Sequence, residues 1–157
     1  MSDPIIVINE WIVHDINGDN GTEGRLFATN FLEKLLDKTC QIVYHPDTPW
    51  AKKVYALMKN KDVRVKGISK MLVSIIFDSN KCIFLHGTID EDDEDLTFLK
   101  DTVPAEDRYL VVMSIKAKAD YLVTTDTELK EAVNRLNELG KVRLRAIDKT
   151  EFYSNIL

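Results

Sequence analysis

Three carboxylate side chains, those of Asp107, Asp126 and Glu128, stand in the sequence where they could act together on one ligand. Asp107 comes near the start of a predicted helix over residues 104–118, and the other two follow a short apolar segment, 121–124, that is typical of a buried strand. Carboxylates in close contact repel by roughly 4 kcal/mol per pair at an effective dielectric constant of about 20. A hard divalent cation, Mg²⁺ or Mn²⁺, would offset that repulsion, so the pattern indicates a metal site.

The elements that would position these acids indicate a parallel α/β fold. Apolar segments predict strands at residues 5–8, 40–44, 82–86, 121–124 and 142–147, and helical segments lie between them at 22–38, 49–58, 68–77, 104–118 and 129–139. The helix over 49–58 is expected to begin with Thr48 as its N-cap and Pro49 as its first residue. Strands that are apolar throughout are typical of a sheet covered on both faces. The sequence therefore predicts a single domain over residues 1–157, a three-layer α/β/α sandwich with a central, mainly parallel sheet. The carboxyl ends of parallel strands share one crevice, where we expect the acids to meet.

Each acid also has an ordinary structural explanation. Glu106 and Asp107 follow Pro104 in the first turn of a helix, where negative charge interacts favourably with the helix dipole. Thr125 and Glu128 have the spacing of a capping box at the start of the next helix. Taken singly, the acids fit these structural roles better than catalytic ones. The combination of an acid at a helix start, an apolar strand and an acidic turn is what favours a functional site.

That combination resembles the PIN-domain family of metal-dependent nucleases. The resemblance covers the C-terminal third best, through Asp107 and the apolar helix after it, ADYLVTTDTEL at residues 119–129 and RAIDKTEF at 145–152. It implies that Asp107 and Asp126 belong to a metal site, with Glu128 as an accessory carboxylate. It further implies an endoribonuclease, in some members the toxin of a toxin–antitoxin pair, in which Mg²⁺ or Mn²⁺ lowers the pKa of a bound water that attacks an RNA phosphodiester.

Two positions depart from the pattern of that family. The first strand leads into Asn9 and Glu10, where the family has an aspartate; the amide of Asn9 is a weak ligand, and Glu10 carries its charge one position later. The second predicted helix presents Lys52 and Lys53, where the family has a glutamate. The candidate catalytic and metal-binding residues are therefore Asp107, Asp126, Glu128 and Glu10, with Asn9 as a further ligand and Asp15, in the predicted loop after the first strand, less favoured.

Charge is unevenly distributed along a chain whose net charge is −5. Residues 52–70 hold seven bases and one acid, whereas residues 88–107 hold nine acids and one base, and the acidic run is expected to be a solvated loop. The overall charge argues against coating of nucleic acid by bulk electrostatics. The basic segment, with Trp50 and Tyr55 near it, has the charges and stacking platforms that single-stranded RNA needs, although a solvated surface explains it as well. The candidate RNA-binding residues are Lys52, Lys53, Lys66 and Lys70.

Two functions stay open from the sequence. One is the cation-dependent nuclease, and the other is a PIN-like domain that has lost cleavage and serves as an RNA-binding or protein-interaction module. An antitoxin protein and a second copy of the chain are further partners that the resemblance suggests. No membrane partner is expected, because no apolar stretch approaches the roughly 20 residues of a membrane span. Cys40 and Cys82 are isolated, which predicts buried free thiols in a reducing cytoplasm.

Overall fold

A parallel sheet forms the centre of the molecule, as a computed structural model describes it for residues 3–91 and 93–157. In this part of the chain five short strands are ordered β3-β2-β1-β4-β5, and each neighbouring pair is parallel. The strands are β1 (Ile5–Ile8), β2 (Gln41–Tyr44), β3 (Cys82–Phe84), β4 (Tyr121–Val123) and β5 (Arg145–Ile147). The predicted α/β/α architecture is confirmed, and the carboxyl ends of all these strands lie at one edge of the sheet.

The helices cover both faces of the sheet. They are α1 (Trp11–Asn17), α2 (Gly21–Asp37), α3 (Pro49–Met58), α4 (Val63–Ile76), α5 (Arg108–Lys116), α6 (Thr127–Glu138) and α7 (Lys149–Asn155). Helices α1 to α4 contact one another, and ring contacts between α7 and α2 bring α7 to the same face. Helix α5 packs on β1 and β4, and α6 packs on β5, on the opposite face that right-handed crossovers require. Within the described ranges, no helix is long and apolar enough to cross a membrane.

Side-chain caps decide where several helices begin. Helix α3 starts where the sequence predicts it, because the hydroxyl of Thr48 accepts a hydrogen bond from the backbone N–H of Ala51 at 3.2 Å. Helix α4 starts five residues earlier than residue 68, the predicted start, because the carboxylate of Asp62 accepts the backbone N–H of Arg64 at 2.9 Å. A local cap of this kind overrides the poor helix propensity of the glycine at position 67.

Some local expectations were wrong. Asp15 does not lie in a loop but in α1, which forms because its apolar residues Trp11, Ile12 and Ile16 fall on one buried helical face. Leu36 and Leu139, which the apolar periodicity of the predicted helices 22–38 and 129–139 turns inward, are 40% and 63% exposed. The chain after β5 forms the α7 helix, which the sequence did not predict as a helix.

The acidic run and the cysteines agree with their predictions, as far as the structure describes them. Residues 88–91 and residue 93 are loop, and a 3₁₀ helix, Glu94–Leu99, follows; Asp92 of the acidic run lies outside the described residues. Cys40 and Cys82 are buried free thiols, and burial raises the pKa of each thiol to about 12. These thiols are therefore poor nucleophiles at neutral pH, which leaves the carboxylates as the candidate chemistry.

Candidate active site at the ends of β1 and β4

Asn9 joins the ends of the two central strands. Its side-chain amide donates a hydrogen bond to the hydroxyl of Thr124 at 2.9 Å, and its amide oxygen accepts the backbone N–H of Glu10 at 2.7 Å. Its backbone N–H donates to the carbonyl of Val123 at 3.0 Å. Asn9 is almost completely buried, and both groups of its side chain are engaged. In this arrangement it fixes the position of Glu10 relative to β4, and whether it also binds a metal stays a prediction.

Thr124 and Asp126 shape the turn after β4. The buried hydroxyl of Thr124 accepts the backbone N–H of Asp126 at 3.0 Å. The carboxylate of Asp126 then caps α6 by accepting the backbone N–H of Leu129 at 3.1 Å. The predicted capping box, with Thr125 as the cap, was therefore wrong by one residue. The bond from Asp126 to Thr124 places Asp126, rather than Thr125, at the helix start, and its side chain remains exposed there.

Asp107 lies partly buried between a 3₁₀ turn, Ala105–Asp107, and the start of α5. The pKa of its carboxyl group is raised from 3.8 to about 6, mainly by burial and also by four neighbouring negative charges, those of Asp126, Glu106, Glu10 and Glu128. The carboxylates of three separate segments, which the sequence predicted to meet in one crevice, therefore lie close enough to act on one another. Like charges that raise a carboxyl pKa in this way are typical of functional sites.

Glu10 is held by two side chains that the sequence did not connect with it. The ammonium group of Lys53 lies 2.6 Å from one carboxylate oxygen, and the hydroxyl of Tyr109 donates to the other at 3.3 Å. Burial and the charge of Glu10 raise the pKa of Tyr109. The sequence predicted that Lys53 contacts RNA, and it gave no sign that Tyr109 contacts Glu10. The spacing of Trp50 and Lys53 could have predicted the pairing of Lys53 with Glu10. Residues three apart share a helix face, and Trp50 is buried against the end of β1.

The carboxylates of this cluster are the right kind of ligand for a hard divalent cation, but they are not arranged as a metal site. Glu10, Asp107, Asp126 and Glu128 offer the carboxylate oxygens that Mg²⁺ and Mn²⁺ prefer, and a cation would relieve their repulsion. In residues 3–91 and 93–157, however, no group of three or more Asp, Glu, His or Cys side chains is placed so that it could hold a metal ion. The described residues therefore supply the carboxylate oxygens without arranging them as a metal site.

The other candidate residues lie away from this cluster. Asp15 is fully buried in α1 and is bound by Lys149 and Asn20, each at 2.6 Å, so it has a structural role. Lys66 and Lys70 line a groove of about 520 Å³ beside α4, whose apolar lining includes the 75% exposed Phe77. Lys52 is exposed on α3. Apart from Lys53, which pairs with Glu10, the predicted RNA-binding lysines are therefore spread over α3 and α4.

We expect the stability of the protein to depend on the ionisation of Asp107. The pKa of this group is 3.8 in an unstructured chain and about 6 in the folded protein. The protonated form is therefore favoured by folding, and the stability it contributes is complete below pH 3.8 and lost as the pH rises through about 6. After allowance for the partial exposure of the group, the loss should be about 1 kcal/mol.

Urea unfolding of wild-type protein and Asp107→Asn at pH 4.5 and pH 7 would measure this contribution. Asparagine cannot ionise, so the difference in stability between variant and wild type should shift in favour of the variant at the higher pH. An identical pH dependence in the two proteins would contradict the raised pKa.

Comparisons with protein-family models, with curated proteins and with solved structures found no match to this chain. Its function must therefore be inferred from its own residues.

Proposed function

We propose that this chain is a PIN-like endoribonuclease that depends on Mg²⁺ or Mn²⁺ and hydrolyses phosphodiester bonds of single-stranded RNA. The observation that carries the proposal is the convergence of acids from separate segments beside the carboxyl ends of β1 and β4, where the charges of Asp126, Glu10 and Glu128 act on the partly buried carboxyl group of Asp107. Like charges placed beside a partly buried carboxyl group oppose folding, and such arrangements occur at functional sites. The resemblance of the C-terminal third to the PIN-domain family supports the same activity.

Each residue of the cluster has a distinct task in this proposal. Asp107, Asp126, Glu128 and Glu10 are the metal ligands, and the cation, when bound, would supply a water of lowered pKa and offset charge on the leaving oxygen. Asn9 and Thr124 hold the ends of β1 and β4 at a fixed separation. Tyr109 orients the carboxylate of Glu10 through its hydroxyl. No histidine or cysteine nucleophile is needed, which agrees with the inert, buried thiols.

Positive charge on α3 and α4 would guide the substrate. Lys52 is exposed on α3, and Lys66 and Lys70 place further positive charge along α4. Phosphate contacts of this kind position RNA without reading its sequence. If the protein is a toxin, an antitoxin with a basic side chain could compete with the cation for the same carboxylates.

Metal removal is the direct test of the proposed activity. Labelled single-stranded RNA should be cut in the presence of Mn²⁺ or Mg²⁺, and EDTA should stop the reaction because the carboxylates cannot activate water without a cation. Double-stranded RNA and single-stranded DNA serve as substrate controls. Cutting that persists in EDTA would contradict the proposal.

A second candidate function is an RNA-binding or protein-interaction module of the same fold that does not cut. It is favoured by the engagement of Glu10 with Lys53 and by the lack of a three-residue metal group in the described part of the chain. A shallow pocket beside Tyr109 is also acidic, with Asp47, Glu91 and Glu106 in its lining, and would suit a basic partner surface. In the same assay such a module would leave RNA intact, and any RNA binding would weaken when Lys52, Lys53 and Lys66 are neutralised.

A further inference from the structure

We propose that the groove beside α4 is a docking site for an acidic amphipathic helix of a partner protein. This α4 groove has a volume of about 520 Å³, and it is lined by the last residue of α3, by one face of α4 and by Phe77 directly after α4. Docking here requires neither a metal ion nor cleavage of RNA, so the inference does not rest on the proposed nuclease.

Exposed apolar side chains are concentrated around the α4 groove. Phe77 and Met58 line the groove, and both are exposed to solvent. Val63, at the start of α4, is 81% exposed, and Tyr55, one turn before Met58 on α3, is exposed as well. The core does not use these side chains, because α4 faces the core with other residues, such as Leu72. Clustered apolar side chains left in water are typical of surfaces that bind another protein.

The exposed residues of α4 form one stripe along the helix. Val63, Lys66, Lys70, Ser74 and Phe77 follow one another at intervals of three or four positions, so they lie on a single helix face. At about 1.5 Å per residue, this stripe is about 21 Å long, which is the length of a partner helix of about 14 residues. The α4 groove therefore suits an amphipathic helix whose apolar residues, spaced three and four apart, enter the groove.

The charge of the α4 groove favours an acidic partner. Lys66 and Lys70 line it, and none of the described residues in its lining is acidic. No ion pair in the described part of the chain involves either lysine. The acids at the two ends of α4 have other contacts, since Asp62 pairs with Arg64 and Asp78 accepts a backbone N–H of the turn that follows it. Two carboxylates one turn apart on a partner helix would meet the two lysines.

Two other occupants fit the α4 groove less well. A second copy of the chain that presented the same face would bring Lys66 and Lys70 against their own counterparts, and like charges repel. Single-stranded RNA binds along charged grooves that offer successive stacking platforms. Phe77 is the only aromatic residue among the described residues of this lining, which also includes the apolar Met58 and Val73.

Selection from a random peptide library tests the proposed chemistry of the partner. Phage that display random peptides of about 15 residues, enough for four helical turns, would be selected on wild-type protein and depleted on Phe77→Ala, which removes peptides that bind elsewhere. The enriched peptides should contain more Asp and Glu than Lys and Arg, with apolar residues three and four apart, and their circular dichroism should become helical on binding. Enrichment of basic peptides, or of none, would overturn the proposal.

Charge reversal in the α4 groove gives an independent measurement with a synthetic enriched peptide. In fluorescence anisotropy, Lys66→Glu/Lys70→Glu should bind the peptide at least about tenfold more weakly, because repulsion replaces attraction. The matched control, Lys38→Glu/Lys141→Glu, reverses two exposed lysines elsewhere and should bind like wild type. Lysines in place of two acids of the peptide should restore binding to the groove variant. Equal weakening in both double variants would reveal only an effect of net charge and would contradict the docking site.

Measurements on the protein alone and with RNA distinguish the other occupants. A dimer in sedimentation experiments that Phe77→Ala dissociates would identify a second copy as the occupant, and would overturn the acidic partner. Weaker binding of a single-stranded RNA oligonucleotide by Phe77→Ala would identify an RNA site and would overturn it as well. An unchanged sedimentation coefficient and unchanged RNA binding in Phe77→Ala, together with loss of the acidic peptides, would support the proposal.

Discussion

Replacing Asp126 with asparagine is expected to reduce cation-dependent cutting of RNA by at least about 100-fold. The substitution removes a negative charge that acts on Asp107 and that the proposed function assigns to the metal. It keeps an oxygen that can accept the backbone N–H of Leu129, and asparagine caps helices as well as aspartate does. The variant should therefore fold normally, so that single-turnover cutting rates in Mn²⁺ report the loss of the charge alone.

Two further variants separate charge from structure in this experiment. Asp126→Ala removes both the charge and the cap, and it should lose cutting to the same extent while also losing about 1 kcal/mol of stability. Glu131→Gln neutralises an exposed acid on the same helix, and it should cut like wild type. Cutting by Asp126→Asn at the wild-type rate, with Asp126→Ala impaired only through instability, would show that Asp126 is a helix cap and not a metal ligand.

The fold was predictable where local chemistry decides it. The apolar run of β1 contains no alternation, so it indicated a strand buried on both faces, and its partners β2 and β4 lie on either side of it. Thr48 and Pro49 marked the start of α3 correctly, because a capping hydroxyl and a proline act within one turn. The start of α4 was missed, although Asp62 carried a signal of the same kind.

The site was predictable only in part, because its contacts differ in range. The convergence of Asp107 with Asp126 followed from the parallel sheet, which brings the ends of its strands to one edge. The pairing of Glu10 with Lys53 spans 43 positions and depends on how α3 packs against the end of β1. Spacing along the sequence gives the face on which Lys53 lies, but it does not give the strand that this face will meet.

Asp15 illustrates the same limit, because its partner comes from the far end of the chain. Replacing that partner, Lys149, with methionine is expected to lower the free energy of unfolding by about 3 kcal/mol. The ammonium group of Lys149 lies 2.6 Å from a carboxylate oxygen of Asp15, whose side chain is 0% exposed. Methionine keeps the apolar length of the side chain beside Trp11 and Phe27, so the main loss is the charge that compensates a buried carboxylate.

A second substitution shows whether the unpaired charge, rather than lost packing, causes that instability. In the double variant Asp15→Asn/Lys149→Met the buried group is neutral, and its amide can still contact Asn20, so much of the lost stability should return. Asp15→Asn alone should be the milder single change, because the side chain of Lys149 is 19% exposed and its charge remains partly solvated. Urea unfolding of all four proteins at pH 7 gives the coupling energy of the pair. If the double variant is as unstable as Lys149→Met, the bridge between α1 and α7 acts through packing, and the buried charge is not its main determinant.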